Sequence, residues 1–178
     1  MTGPADWQGF AEMTGGASAA LTGLLFVSVS LNADRIAEHQ GLRASAAQTL
    51  VLFVTPLVMA ATLLAPGQAD WVVGAELILI GAISSWTLLS TGRHKRGLAD
   101  EDMRLIAIFD RHEANMLVML LFVISGIMLA CGDSVGLYLL LPASLVAFVS
   151  GVLNAWLFLL PPPQAQPKPK GEARDRSD

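Results

Sequence analysis

Five stretches of this sequence, roughly 10–32, 44–65, 71–91, 114–131 and 136–160, are apolar with few interruptions. Each comes near the ~20 residues that a helix needs to cross a hydrocarbon core. With 53% hydrophobic and only 15% charged residues, the chain is also too apolar for an ordinary soluble domain. The expected fold is all-α, an integral membrane bundle of five transmembrane helices in one domain over residues 1–160.

The cationic residues give that bundle an orientation. Of eleven Lys and Arg, two lie at 33–43, five at 93–111 and four in the tail beyond 160. The N-terminal segment and the connections 66–70 and 132–135 carry none. Positive-inside reasoning then places the N-terminus outside and the C-terminus in the cytosol. Trp7, Trp71 and Tyr138 fall at the outer boundaries of spans one, three and five, and Trp156 lies near the inner end of span five, as interfacial belts require. No basic segment precedes the first span, so a cleaved signal peptide is not expected.

Span one carries the most small residues. At 100° per residue, Glu12, Gly15, Gly16, Ala19, Ala20, Thr22, Gly23 and Ser30 share one face, while Phe10, Leu21, Leu24, Leu25 and Val29 point away. In lipid, helices associate largely through close backbone approach at small residues. Gly15, Gly16, Ala19 and Gly23 are therefore the expected packing surface, and this helix the one the others pack around.

Further along, Pro56 with Thr55 beside it predicts a kink in span two, its freed carbonyl satisfied by neighbouring groups. Ala65-Pro66-Gly67-Gln68 and Gly132-Asp133-Ser134 read as outer turns. The cytosolic loop 92–113 ends in Met103-Arg-Leu-Ile-Ala-Ile-Phe-Asp-Arg-His-Glu113, an expected interfacial helix leading into span four. Residues 161–178 read as a disordered, Pro-rich, charged cytosolic tail. Asp6-Trp7-x-x-x-Ala11-Glu12 recurs as Asp70-Trp71-x-x-x-Ala75-Glu76, through duplication of a two-helix unit or through common interfacial anchoring.

No H-E-x-x-H, G-x-S-x-G, P-loop or G-x-G-x-x-G motif is present, and the expectation is a non-enzyme without a cofactor and without a nucleic-acid partner. Cys131 stands alone, which excludes an internal disulfide or a CxxC site. His39, His94 and His112 fall on the cytosolic side near Asp34, Glu38, Asp110 and Glu113. Imidazole and carboxylate could hold a divalent ion, but no tight ligand spacing occurs, and solvated interfacial histidines are the preferred reading. Glu12 and Glu76 are better candidates, because a carboxylate within a span is costly and usually faces an interior or a water-filled cavity. Glu76 shares a face with Ser84, Thr87 and Thr91. The four residues Glu12, Glu76, Ser84 and Thr87 could line an ion or proton pathway. Against that stands a structural role, with both glutamates at the outer interface or bonded to neighbouring helices.

Gly16-Ala-Ser-Ala-Ala-Leu-Thr-Gly-Leu-Leu-Phe-Val-x-Val-Ser-x-Asn32 resembles the first span of a group of small bacterial, often actinobacterial, multi-span membrane proteins. Some of these are labelled modulators of a membrane-bound AAA protease. The resemblance implies a bacterial cytoplasmic membrane and an accessory role, and assigns no residue a function. Ser18-Ala-x-Leu-x-Gly23 is also similar to the first span of store-operated calcium channels, which have four spans and a cytosolic N-terminus. The expectation is a protein of the lipid bilayer that self-associates, or serves as an accessory to a larger membrane complex. An oligomeric channel using Glu12 and Glu76 is the alternative.

Overall fold

The computed structural model describes residues 3–95 and 112–157. Residues 103–111 of the interfacial helix expected at 103–113, and the tail 161–178, lie outside them. The described residues form helices α1 (Gln8–Leu31), α2 (Ala33–Glu38), α3 (Gln40–Leu64), α4 (Asp70–Lys95), α5 (His112–Ala130) and α6 (Leu140–Leu157), and no strand. Turns of 3-10 helix, Pro4–Trp7 and Ser134–Leu139, lead into α1 and α6. Among the described residues four helical segments are long and apolar enough to cross a membrane: Gln8–Leu31, Gln40–Leu64, Asp70–Ser90 and Ser134–Trp156. The apolar part of α5, Asn115–Ala130, is shorter.

The turns follow from local chemistry. Gly67 (φ 72°) and Gly132 (φ 87°) take the left-handed conformation that other residues adopt only at a cost. The Asp133 carboxylate accepts the Val135 N–H at 3.0 Å and so starts the turn into α6. The connection at 33–43 is mostly helical, because α2 fills it and α3 starts at Gln40. α3 is one continuous helix through Pro56.

The centre of the bundle is α3, not α1. α3 packs against α1, α4, α6 and α2, and 50% of its apolar stretch is buried against 17% for α1. The expectation drawn from span one is thereby corrected. What holds α1 is a mixed face: Ala11, Thr14 and Ser18 are buried along its first half, and further on Leu25 is buried with Phe53, with Leu21, Val29 and Phe148 packed against them. A large side chain meeting other large side chains gains many dispersion contacts and removes more apolar area from neighbouring chains than glycine can. Helix backbones approach each other closely through glycine between α4 and α5, the most extensive helix pair. A Cβ on Gly74 would lie 2.6 Å from the Ala130 nitrogen, and one on Gly81 2.6 Å from Val123 Cγ2. Leu52, Met59, Leu77, Met119, Phe122 and Leu137 fill the interior, each fully buried.

Candidate functional site

The residues singled out on α1 divide between two sides of the helix. Its buried positions are Ala11, Thr14, Ser18 and Leu25. Gly15 lies at the edge of that face, where a Cβ would meet Ala60 Cβ of α3 at 3.1 Å. Gly16, Ala19 and Gly23 face away and are exposed, and a Cβ on Gly16 or Gly23 would meet nothing within 4 Å. Only Gly15 of the four expected packing residues thus packs within the chain. Glu12 lies beside them and is exposed as well. The result is an outward stripe of Gly9, Glu12, Gly16, Ala19 and Gly23, each about one turn from the next.

Glu76 has a different environment. It is half-buried, and Gln68 of the preceding turn donates from Nε2 to its two oxygens at 3.2 and 3.4 Å. The same spacing from a tryptophan therefore yields two orientations. In the first copy Ala11 is buried and Glu12 exposed; in the second Ala75 is exposed and Glu76 is turned inward. Helices α1 and α4 each pack on α3 and have little contact with one another. Common anchoring at a boundary accounts for the repeated spacing better than superposable units do.

Ser84 and Thr87 do not form a polar stripe with Glu76. Ser84 is buried, and its hydroxyl is 2.8 Å from that of Thr55, which also donates to the Val51 carbonyl at 2.7 Å. Thr87 donates to the Ile83 carbonyl at 2.9 Å, within its own helix. His39 is exposed between α2 and α3, and its Nδ1 donates to the Arg35 carbonyl at 3.0 Å. The side chains of His94 and His112 lie outside the described residues, and among those described no group of three metal-ligating side chains occurs.

Several polar residues that the sequence reading passed over are buried: Gln48, Thr49, Asn115, Ser125, Ser144 and Ser150. The signal was present as isolated hydroxyls and amides inside apolar runs. Their inward direction was not legible, since it depends on which face of each helix meets its neighbours. At the boundary, Trp7 stands edge-on to Tyr138 with ring centroids 5.0 Å apart, and to Phe10 at 5.5 Å. Comparison with family models, with curated proteins and with solved structures gives no match.

Proposed function

We propose that this is a non-enzymatic protein of the bacterial cytoplasmic membrane whose α1 face is an assembly surface, for a second copy or for a larger membrane complex. The observation that carries this reading is the outward stripe Gly16, Ala19 and Gly23 beside Glu12. Small residues let two backbones approach closely, the main source of helix association in lipid. A carboxylate on an outward surface about 7.5 Å of helix rise past Trp7 is costly there unless it reaches the interface or a partner.

In this reading α5 is a fifth span. Its glycine-mediated pairing with α4 supports that, because two helices in such intimate antiparallel contact cover the same depth. The N-terminus is outside and the C-terminus in the cytosol, as the eleven cationic residues favour. A channel through Glu12 and Glu76 draws less support, since Glu76 is engaged by Gln68 and fully buried Phe122, Met59 and Met119 fill the interior.

Native mass measurement in lipid nanodiscs tests the assembly reading. The expected result is an oligomer or a co-purified membrane partner, lost in Gly23→Leu and Ala19→Leu while the monomer keeps its melting temperature. A monomer in lipid whose behaviour is unchanged by both variants sinks it.

A further inference from the structure

Seven helical hydroxyls, those of Thr22, Thr49, Thr55, Thr62, Ser85, Thr87 and Ser90, donate to a carbonyl of their own helix at 2.7–2.9 Å. Thr14, Ser18 and Ser144 do not. Each is at most 1% exposed, and none of their hydroxyl oxygens has a hydrogen-bond partner in the protein. A buried hydroxyl is costly to leave without a partner, and more so where the surroundings are lipid and apolar side chain.

The three hydroxyls lie at one level of one junction. The contact of Gly15 with Ala60 sets α1 against α3, and that of Gly151 with Phe53 sets α6 against α3. Counting along the antiparallel helices from those contacts, Thr14 is level with Ala61, Ser144 with Ala60 and Ser18 with Leu57. All three therefore fall within about 6 Å of depth at 1.5 Å per residue. They also fall on the faces by which these helices meet. Leu21 and Leu25 of α1 and Phe148 of α6 pack with Phe53. One turn from Phe148 on the same face is Ser144, and one and two turns from Leu21 are Ser18 and Thr14.

The Phe53–Phe148 cluster lies on one side of this level, and the Trp7–Tyr138 pair, whose residues lead into α1 and α6, on the other. Buried Ala11, Ala60, Ala143 and Ala147 occupy the same stretch with the smallest side chains that still form a helix well. Glu12, the nearest ionisable residue on α1, faces away from it. A site lined by hydroxyls and methyl groups with no charge suits a neutral hydrogen-bonding molecule of the smallest size.

We propose that the α1–α3–α6 junction is an internal water site, in which Thr14, Ser18 and Ser144 share water as their common hydrogen-bond partner. A buried water typically makes about three hydrogen bonds to such otherwise unpartnered groups. Bound there, it ties the least buried helix, α1, to the rest of the bundle.

Two measurements on the full chain in lipid nanodiscs test this. In the parent protein, with ¹³C-labelled serine, water-edited solid-state NMR should transfer magnetisation from water to the Cβ of Ser18 and Ser144. It should not reach Ser84, whose hydroxyl is bonded to Thr55. No transfer to either serine overturns the proposal. In the second, Thr14→Val and Ser144→Ala should each lower the melting temperature by about 2–4 °C, and the double variant by less than the sum, because one bridge is lost only once. Single variants that melt higher than the parent would mark dry hydroxyls, and additive losses would mark hydroxyls turned to their own helices. Either outcome removes the water site.

Discussion

A Cβ on Gly74 would stand 2.7 Å from the Gly126 carbonyl oxygen, and one on Gly126 would stand 2.7 Å from that of Gly74. The two glycines thus set how closely α4 and α5 approach, and the obstacle on each side is backbone, which cannot rotate away. Gly126→Val should cost about 1–3 kcal/mol or more, the range of overpacked cores. Thermal unfolding in detergent checks it, with Gly41→Val at an exposed site as reference; equal melting temperatures would remove the close-approach argument.

The two sides of α1 should respond in opposite ways. Leu25→Ala empties space beside Phe53 and should cost about 2–5 kcal/mol. Gly23→Leu meets nothing within 4 Å in this chain, so it should leave unfolding unchanged and alter only assembly. Comparing melting temperature with native mass for the pair separates fold from association.

How the helices lie in sequence was legible and how they face each other was not. Length and apolarity located α1, α3, α4 and α6 within a few residues, and Gly67 and Gly132 marked their turns as the composition of 65–68 and 132–134 required. Rotation about each helix axis was lost, because all sides of these helices are apolar and no polar face distinguishes lipid from protein. The small-residue rule was sound, yet applied to Gly16 and Gly23 when Gly74, Gly81, Gly126, Gly136 and Gly151 were the glycines in close contact. Sequence also could not show that Gln68, eight residues before Glu76, would fold back onto it.

Orientation can be read with the native cysteine. Cys131 is exposed at the same end of the bundle as Trp7 and Gln68. A membrane-impermeant maleimide added to intact cells should label it. In a Cys131→Ser background, Gly41→Cys, exposed at the opposite end, should label only after the membrane is opened. The reverse pattern would invert the topology and revive the four-span calcium-channel resemblance.

The Thr55–Ser84 bond joins α3 to α4 inside the bundle at 2.8 Å. Thr55 keeps its bond to the Val51 carbonyl when Ser84 is removed, so no hydroxyl is orphaned by Ser84→Ala. A loss of about 0.5–1 kcal/mol is expected, close to the average for interhelical hydrogen bonds in membranes. A double-mutant cycle with Thr55→Val measures the coupling directly.

Glu12 and Glu76 should part company under the same substitution. Gln68 donates to Glu76 from its amide nitrogen, and a glutamine at position 76 still offers a carbonyl oxygen as acceptor. Glu76→Gln should therefore change stability by less than about 1 kcal/mol, the difference between a charge-assisted and a neutral hydrogen bond being of that order. Glu12 has no such hydrogen-bond partner among the described residues: it is exposed on the stripe with Gly16 and Ala19. Glu12→Gln removes the cost of holding a charge on that surface, so it should shift the assembly state at unchanged monomer stability. Reconstituted into proteoliposomes with a pH or potassium gradient, the parent and both variants should show the same background leak. A cation or proton flux in the parent that either variant abolishes would reverse the ranking and make the carboxylates a pathway.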